Sequence, residues 1–276
     1  MIQSLLLLLA IGSPFIIANA QPSNIFILAG QSNMAGRGGI QENPEGILVW
    51  DGFVPPECQP NPSIFRLTAN LTWEEAKEPL HKDIDVNKTN GIGPGMAFAN
   101  SILHREPDFG SMGLVPCAIG GTNISQWERG TYLYDQLLLN RTSAAVSGGS
   151  GVIRAMLWYQ GESDSIDYED AISYENNLKK FFNNIRADLR LPLLPIIQVA
   201  LPSGPWPFVD IVREAQLGLK LPNVRCVDAK GLELQPGGIH LTTQSQVLLG
   251  EMLADAFFRF LPDPLPTNTR RKRYMA

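Results

Sequence analysis

The sequence predicts an α/β domain built on a central parallel sheet. Five short apolar runs are bounded by turn residues, and amphipathic stretches with three- and four-residue spacing alternate with them. Glycine-rich polar segments directly follow three of the runs, as expected where strands end at a ligand-binding edge. With 276 residues, 44% of them hydrophobic, the chain is long enough for one large domain with a substantial core. No internal repeat is present.

The first twenty residues stand apart. An aliphatic stretch from Leu5 through Ile17 is interrupted by Gly12-Ser13-Pro14 and is shorter than the about 20 apolar residues a spanning helix needs. Ala18-Asn19-Ala20 supplies an A-x-A cleavage pattern, so residues 1–20 are read as a signal peptide. The mature chain is then expected to be secreted, extracellular or in a cell wall, with no membrane span after signal removal. Export agrees with four N-x-S/T sequons, at Asn70, Asn87, Asn123 and Asn140. An odd set of cysteines, Cys58, Cys117 and Cys226, allows at most one internal disulfide, and the sequence does not choose its partners.

The domain is placed at 21–262. Its strands are expected at 24–29, 111–118, 152–158, 194–200 and 224–228. Helices are expected at 94–104, 131–146, 168–188, 208–219 and 243–260. Within the third of these, Leu178, Phe181, Phe182, Ile185 and Leu189 form a core-facing stripe. Residues 37–92 carry Pro44, Pro55, Pro56, Pro60, Pro62 and Pro79 and few periodic runs, which reads as a long irregular insertion framing a site. Beyond Pro262, residues 263–276 read as a solvated basic tail ending in Arg270-Arg271-Lys272-Arg273.

The formal net charge of −5 argues against a nucleic-acid partner, because phosphate binding needs a basic face. No C-x-x-C or Cys/His cluster is present, so no metal is expected.

The first strand delivers Gly30-Gln31-Ser32-Asn33-Met34-Ala35-Gly36, a small-residue turn of the kind that presents a nucleophilic serine. A serine needs a base, and histidine titrates in the right range. His81 in the insertion and His104 at a helix end read as surface residues. His240, in Gly237-Gly238-Ile239-His240-Leu241-Thr242, precedes a helix that Thr242 or Thr243 can cap, so its backbone is fixed. Acyl transfer also needs donors aimed at the developing oxyanion. Ala118-Ile119-Gly120-Gly121-Thr122-Asn123-Ile124 and Trp158-Tyr159-Gln160-Gly161-Glu162-Ser163-Asp164 end the second and third runs and can supply them.

These four ordered blocks resemble those of the SGNH-type hydrolases. More narrowly they resemble carbohydrate esterases of family six, with the sialate O-acetylesterase-like and plant acetylesterase-like proteins. The resemblance spans roughly residues 24 to 260. It implies a flavodoxin-like three-layer α/β/α sandwich and cofactor-free removal of O-acetyl groups from a carbohydrate substrate. Carried over, Ser32 is the nucleophile and His240 the base. The Ser32 N–H, Gly120 or Gly121 and Gln160 form the oxyanion hole. Asn33, Thr122 and Trp127 are expected to meet substrate, with Trp127 either stacking on a sugar or packing in the core.

One position departs from the family pattern. An aspartate usually stands three residues before the histidine, where it orients the ring. Gly237 stands there instead. Glu162 is the first candidate to replace it, with Asp164, Asp228 and Glu233 behind. A backbone carbonyl orienting the ring, or a weakened enzyme, are the alternatives. Besides the esterase, two other readings stay open: a glycan-binding homologue that lost its acid at Gly237, and a lipid esterase. The latter wants an apolar entrance, of which the insertion gives little sign.

Overall fold

The computed structural model describes residues 21–149 and 151–261. The segments read as signal peptide and basic tail lie outside the described residues.

Among the described residues there are nine strands: β1 Asn24–Gly30, β2 Ile40–Glu42, β3 Leu48–Trp50, β4 Ile64–Leu67, β5 Trp73–Glu75, β6 Met112–Pro116, β7 Val152–Tyr159, β8 Ile196–Ala200 and β9 Val224–Asp228. Six α-helices accompany them: α1 Ser32–Ala35, α2 Pro94–Arg105, α3 Arg141–Val146, α4 Tyr168–Asp188, α5 Val209–Gly218 and α6 Thr243–Phe258. A π-helical stretch, Leu133–Asn140, leads into α3.

Seven strands form one sheet in the order β5-β4-β6-β1-β7-β8-β9, parallel except for β5. β1 lies at its centre and all seven of its residues are buried. A strand covered by helices on both faces must be apolar throughout, which is why Asn24-Ile25-Phe26-Ile27-Leu28-Ala29 shows no alternation.

On one face Phe26 of β1 meets Phe98 of α2 and Phe257 of α6, with ring centroids 5.0 and 5.1 Å apart and the rings edge to face. On the other, Trp158 of β7 packs on Phe181 and Phe182 of α4. The result is a three-layer α/β/α sandwich, the SGNH-type fold. The 178–189 stripe is buried as its spacing requires, apart from the half-buried Leu189 at its end.

The insertion is more ordered than its composition suggests. β2 and β3 form an antiparallel hairpin, and β4 and β5 extend the main sheet beyond β6. The buried Arg66 explains why β4 does not read as a strand. It projects a charge into the protein and is neutralised there by Asp83 and Glu74, with Nη1 2.6 Å from Asp83 Oδ1 and Nε 2.8 Å from Glu74 Oε1. His81, expected at the surface, is buried in this insertion, and burial lowers its pKa to about 3. His104 is exposed at the end of α2. The three cysteines are unpaired, Cys58 and Cys117 buried and Cys226 half-buried.

Candidate active site

The site begins where β1 ends. Gly30 has φ +128°, and a Cβ on it would lie 2.0 Å from the Tyr159 carbonyl oxygen of β7, so only glycine lets the chain turn here against the neighbouring strand. The turn leads directly into α1, which opens with Ser32. At the far end of the chain, Leu234 and Leu241 pair in an antiparallel bridge that closes the 235–240 turn. That turn is held by Gln235 N–H donating to the His240 carbonyl at 2.7 Å. It brings the His240 Nε2 to 3.0 Å from the Ser32 Oγ, across 208 residues of sequence. α6 follows, capped by the Thr242 side chain, which accepts from the Ser245 N–H at 3.2 Å.

Burial, and after it the charge of Arg37, lowers the His240 pKa to about 4. At neutral pH the ring is therefore unprotonated and its Nε2 can accept the serine proton. His240 Nδ1 has no hydrogen-bond partner among the described residues, and no carboxylate there makes an ion pair with the ring.

Glu162 does not fill the place of the missing acid directly. Its Oε1 accepts instead from Asn33 Nδ2 at 2.8 Å, and its Oε2 is buried with no protein partner. Burial pushes its carboxyl up to about 7. Two of the lesser candidates are otherwise engaged: Asp164 caps the Ile124 N–H at 2.9 Å and Asp228 pairs with Arg213 at 2.9 Å. The Glu233 carboxylate makes no hydrogen bond to the ring among the described residues.

The residues expected to donate to an oxyanion are not all free to do so. Gln160 is fully buried, and its amide Nε2 donates to the Thr122 carbonyl at 2.9 Å and to Asp164. It therefore holds the Gly120–Thr122 loop in place and does not face the cavity. The Gly120 N–H donates to Asp85 Oδ2 at 3.2 Å, and Asp85 in turn pairs with the buried Arg37. Ser32 and Gly121 line the cavity, and their N–H groups have no protein acceptor among the described residues. Gln31 joins them. It lines the cavity, its Oε1 is held by Gln160 Nε2 at 3.3 Å and by the N–H groups of Gly161 and Ser163, both at 3.4 Å, and its Nε2 has no acceptor among the described residues.

Residues 22–259 match the family model for carbohydrate esterase, sialic acid-specific acetylesterase. The chain is 57% identical over 238 residues to a probable carbohydrate esterase of Arabidopsis thaliana, which covers 86% of this chain and 90% of that one.

The chain belongs to the sialic acid-specific acetylesterase family of carbohydrate esterases.

Among solved structures, an Arabidopsis thaliana protein at 56% identity superposes with a TM-score of 0.83 and covers 86% of this chain and 98% of its own. A carbohydrate acetylesterase from Xanthomonas citri, at 20% identity and TM-score 0.60, shares the fold over 84% of this chain and 55% of its own. NanS does so at 16% identity and TM-score 0.67, over 87% and 98%.

Within this family member, the three residues expected to meet substrate are used internally. Asn33 is fully buried: its Nδ2 serves Glu162, its Oδ1 accepts the Leu241 N–H at 3.0 Å, and its carbonyl accepts from Gln246 Nε2 at 3.1 Å. Trp127 is fully buried edge to face on Trp158, and its Nε1 donates to the Thr122 Oγ1 at 3.1 Å, which also occupies Thr122. The aromatic residue at the cavity is Trp206, missed because it sits in a proline-flanked loop with no periodic pattern.

The insertion also contributes more than expected: Ile40 of β2 and Leu48 of β3 line the cavity beside Lys88 and Thr89. Of the sequon asparagines, Asn70, Asn87 and Asn140 are exposed, while Asn123 is half-buried and its Oδ1 accepts from Ser125 Oγ at 2.8 Å. No cluster of three or more His, Cys, Asp or Glu suited to a metal occurs among the described residues.

Proposed function

We propose that the protein is a secreted serine esterase that removes O-acetyl groups from carbohydrates through a covalent acyl-enzyme. The observation that carries this reading is the 3.0 Å contact between His240 Nε2 and Ser32 Oγ, at the carboxyl edge of the parallel sheet. Ser32 Oγ attacks the ester carbonyl while His240 Nε2 takes its proton. The tetrahedral oxyanion is received by the N–H groups of Ser32 and Gly121 and by the Gln31 amide. As the intermediate collapses, His240 returns the proton to the leaving sugar oxygen, and the acetyl group stays on Ser32. A water activated by His240 then attacks the acetyl carbonyl, releasing acetate and free Ser32.

In this reading no acid bonds the His240 ring directly, and the loop that carries it is held by backbone pairing and by Asn33. Asn33 links Glu162 to the loop that carries the histidine, so Glu162 acts through that link. Secretion is supported by the A-x-A pattern at Ala18-Asn19-Ala20 and by the three exposed sequon asparagines.

A second reading, a glycan-binding protein of low turnover, draws on the unpartnered Nδ1 of His240. One experiment separates them: acetate release from acetylated xylan and from a chromogenic acetate ester by protein lacking residues 1–20, beside Ser32→Ala. The esterase reading requires release that Ser32→Ala abolishes. Binding of the acetylated glycan with equal, negligible release by both proteins supports the second.

A further inference from the structure

Ser32 and His240 line a cavity of about 360 Å³, toward the small end of the about 300–1,000 Å³ typical of small-molecule sites. The lining is mixed: polar side chains such as Gln31, Lys88, Thr89 and Ser163 share it with large apolar ones. Ile40 and Leu48 stand on one side, on the β2–β3 hairpin, and Ile166, Trp206 and Ile239 also line the cavity. Leu48 is 57% exposed, Ile166 61% and Ile239 40%. The hairpin wall is pinned by Thr89 Oγ1 donating to the Leu48 carbonyl at 2.9 Å. Large aliphatic side chains held in water around one cavity mark a surface that an apolar ligand group covers.

We infer that this wall binds an apolar group on the alcohol half of the ester, so that the enzyme's preferred substrates are small acylated glycosides carrying an aryl or alkyl aglycone. This rests on the esterase reading above and specifies its substrate class.

The leaving oxygen must come within hydrogen-bond reach of His240 Nε2 to receive its proton, so the alcohol half lies beside that ring. Ile239 adjoins His240 in the chain. The carbonyl oxygen, by contrast, is drawn to the N–H groups of Ser32 and Gly121. Sugar hydroxyls pressed on Ile166, Ile239 and Leu48 would lose hydrogen bonds to water and gain none. The polar rim residues Lys88, Thr89 and Ser163 suit the sugar, Trp206 suits an aromatic ring or a sugar face, and the aliphatic side chains suit the aglycone.

The test compares kcat/KM for monoacetylated methyl, hexyl and phenyl glucosides. The expected result is a rise of about tenfold from the methyl to the hexyl or phenyl glucoside, carried by KM, as burial of a few methylene equivalents gives. In Leu48→Ser and Ile166→Ser the rise shrinks toward unity. It persists in Phe53→Ser, an exposed apolar residue of the same insertion outside the cavity.

Equal constants for the three glucosides overturn the inference. So does a dependence on acyl-chain length with none on the aglycone, which would assign the wall to the acyl half and favour a lipid esterase. If no ester is hydrolysed, the esterase reading fails by itself. Calorimetry with Ser32→Ala then decides the wall: about tenfold tighter binding of the acetylated phenyl glucoside than of the methyl one upholds it, and equal affinities overturn it.

Discussion

Asn33 clamps Glu162 to the loop that carries His240: its Nδ2 reaches Glu162 Oε1 at 2.8 Å, and its Oδ1 takes the Leu241 N–H at 3.0 Å. One buried amide thereby joins the nucleophile turn, the end of β7 and the histidine turn. Asn33→Ala leaves the Leu241 N–H and Glu162 Oε1 without this partner, so stability should fall by about 1–3 kcal/mol. Because His240 loses its register on Ser32, kcat should drop by roughly 100-fold with KM for a small acetate ester little changed. Thermal unfolding and steady-state kinetics on the same preparation check both. An unchanged kcat would show that the clamp does not position the base.

The pH dependence separates the two titrating groups. His240 works unprotonated and titrates at about 4, so kcat/KM should rise with pH through about 4. Glu162 titrates at about 7, and if its charge assists the imidazolium a second rise follows near 7. Glu162→Gln should erase the second limb and keep the first. The same residue makes a stability prediction. Its folded pKa lies above the ordinary 4.5, so the folded state binds that proton more tightly than the unfolded chain. The resulting stability is present below about 4.5 and lost as pH rises through about 7. The Tm advantage of Glu162→Gln over the parent should therefore grow between pH 5 and pH 8, and a constant difference would count against an ionising buried Glu162.

The main strands and helices were legible because burial on both faces of the sheet forces continuous apolar runs such as that of β1, and one-sided burial forces stripes such as Phe181 and Phe182 in α4. The carboxyl edge of the sheet placed Ser32 and the Gly120–Gly121 and Gln160–Glu162 segments together from strand order alone. What stayed hidden depends on partners distant in sequence. β4 is masked by Arg66, whose charge is neutralised only by Asp83 and Glu74 once the insertion folds. The Arg37–Asp85 pair that takes up the Gly120 N–H lies within that same insertion. Which of two glutamines faces the cavity is decided by hydrogen bonds to Asp164 and the Thr122 carbonyl, and no periodicity encodes those.

Those two glutamines can be told apart by charge. Gln31→Glu keeps the oxygen that accepts from Gly161 and Ser163 but replaces the donor proposed for the oxyanion with a second oxygen. Loss of one such donor reduces kcat by about 100- to 1,000-fold, and the added negative charge works in the same direction. Its Tm should change little. Gln160→Glu instead sets a carboxylate against Asp164 and the Thr122 carbonyl, so its Tm should fall, and fall further as pH rises and both acids ionise. Kinetics and melting curves at pH 5 and pH 8 compare them. A larger kcat loss in Gln160→Glu than in Gln31→Glu, at equal folded fraction, would return the donor role to Gln160.

Gly237 offers the most direct test of the incomplete triad. Its neighbour Gly238 takes the left-handed φ of +68° that the turn demands, whereas Gly237 does not, and a Cβ on Gly237 would meet nothing within 4 Å. An aspartate is thus sterically admissible at the position three residues before His240. If its carboxylate reaches the unpartnered Nδ1, it orients the ring and stabilises the imidazolium that forms as Ser32 attacks. Loss of this acid in serine triads lowers turnover by up to about 10⁴, which sets the ceiling for the gain; a rise of roughly tenfold in kcat is the expected outcome for a surface turn open to water. An acid partner also favours the charged imidazole, so the limb of kcat/KM assigned to His240 should move upward from about 4. A higher kcat with that limb unmoved would mean that the aspartate acts on the turn and not on the ring. An upward-shifted limb with no gain in kcat would mean that the Asn33–Glu162 arrangement already supplies the orientation that Gly237 cannot.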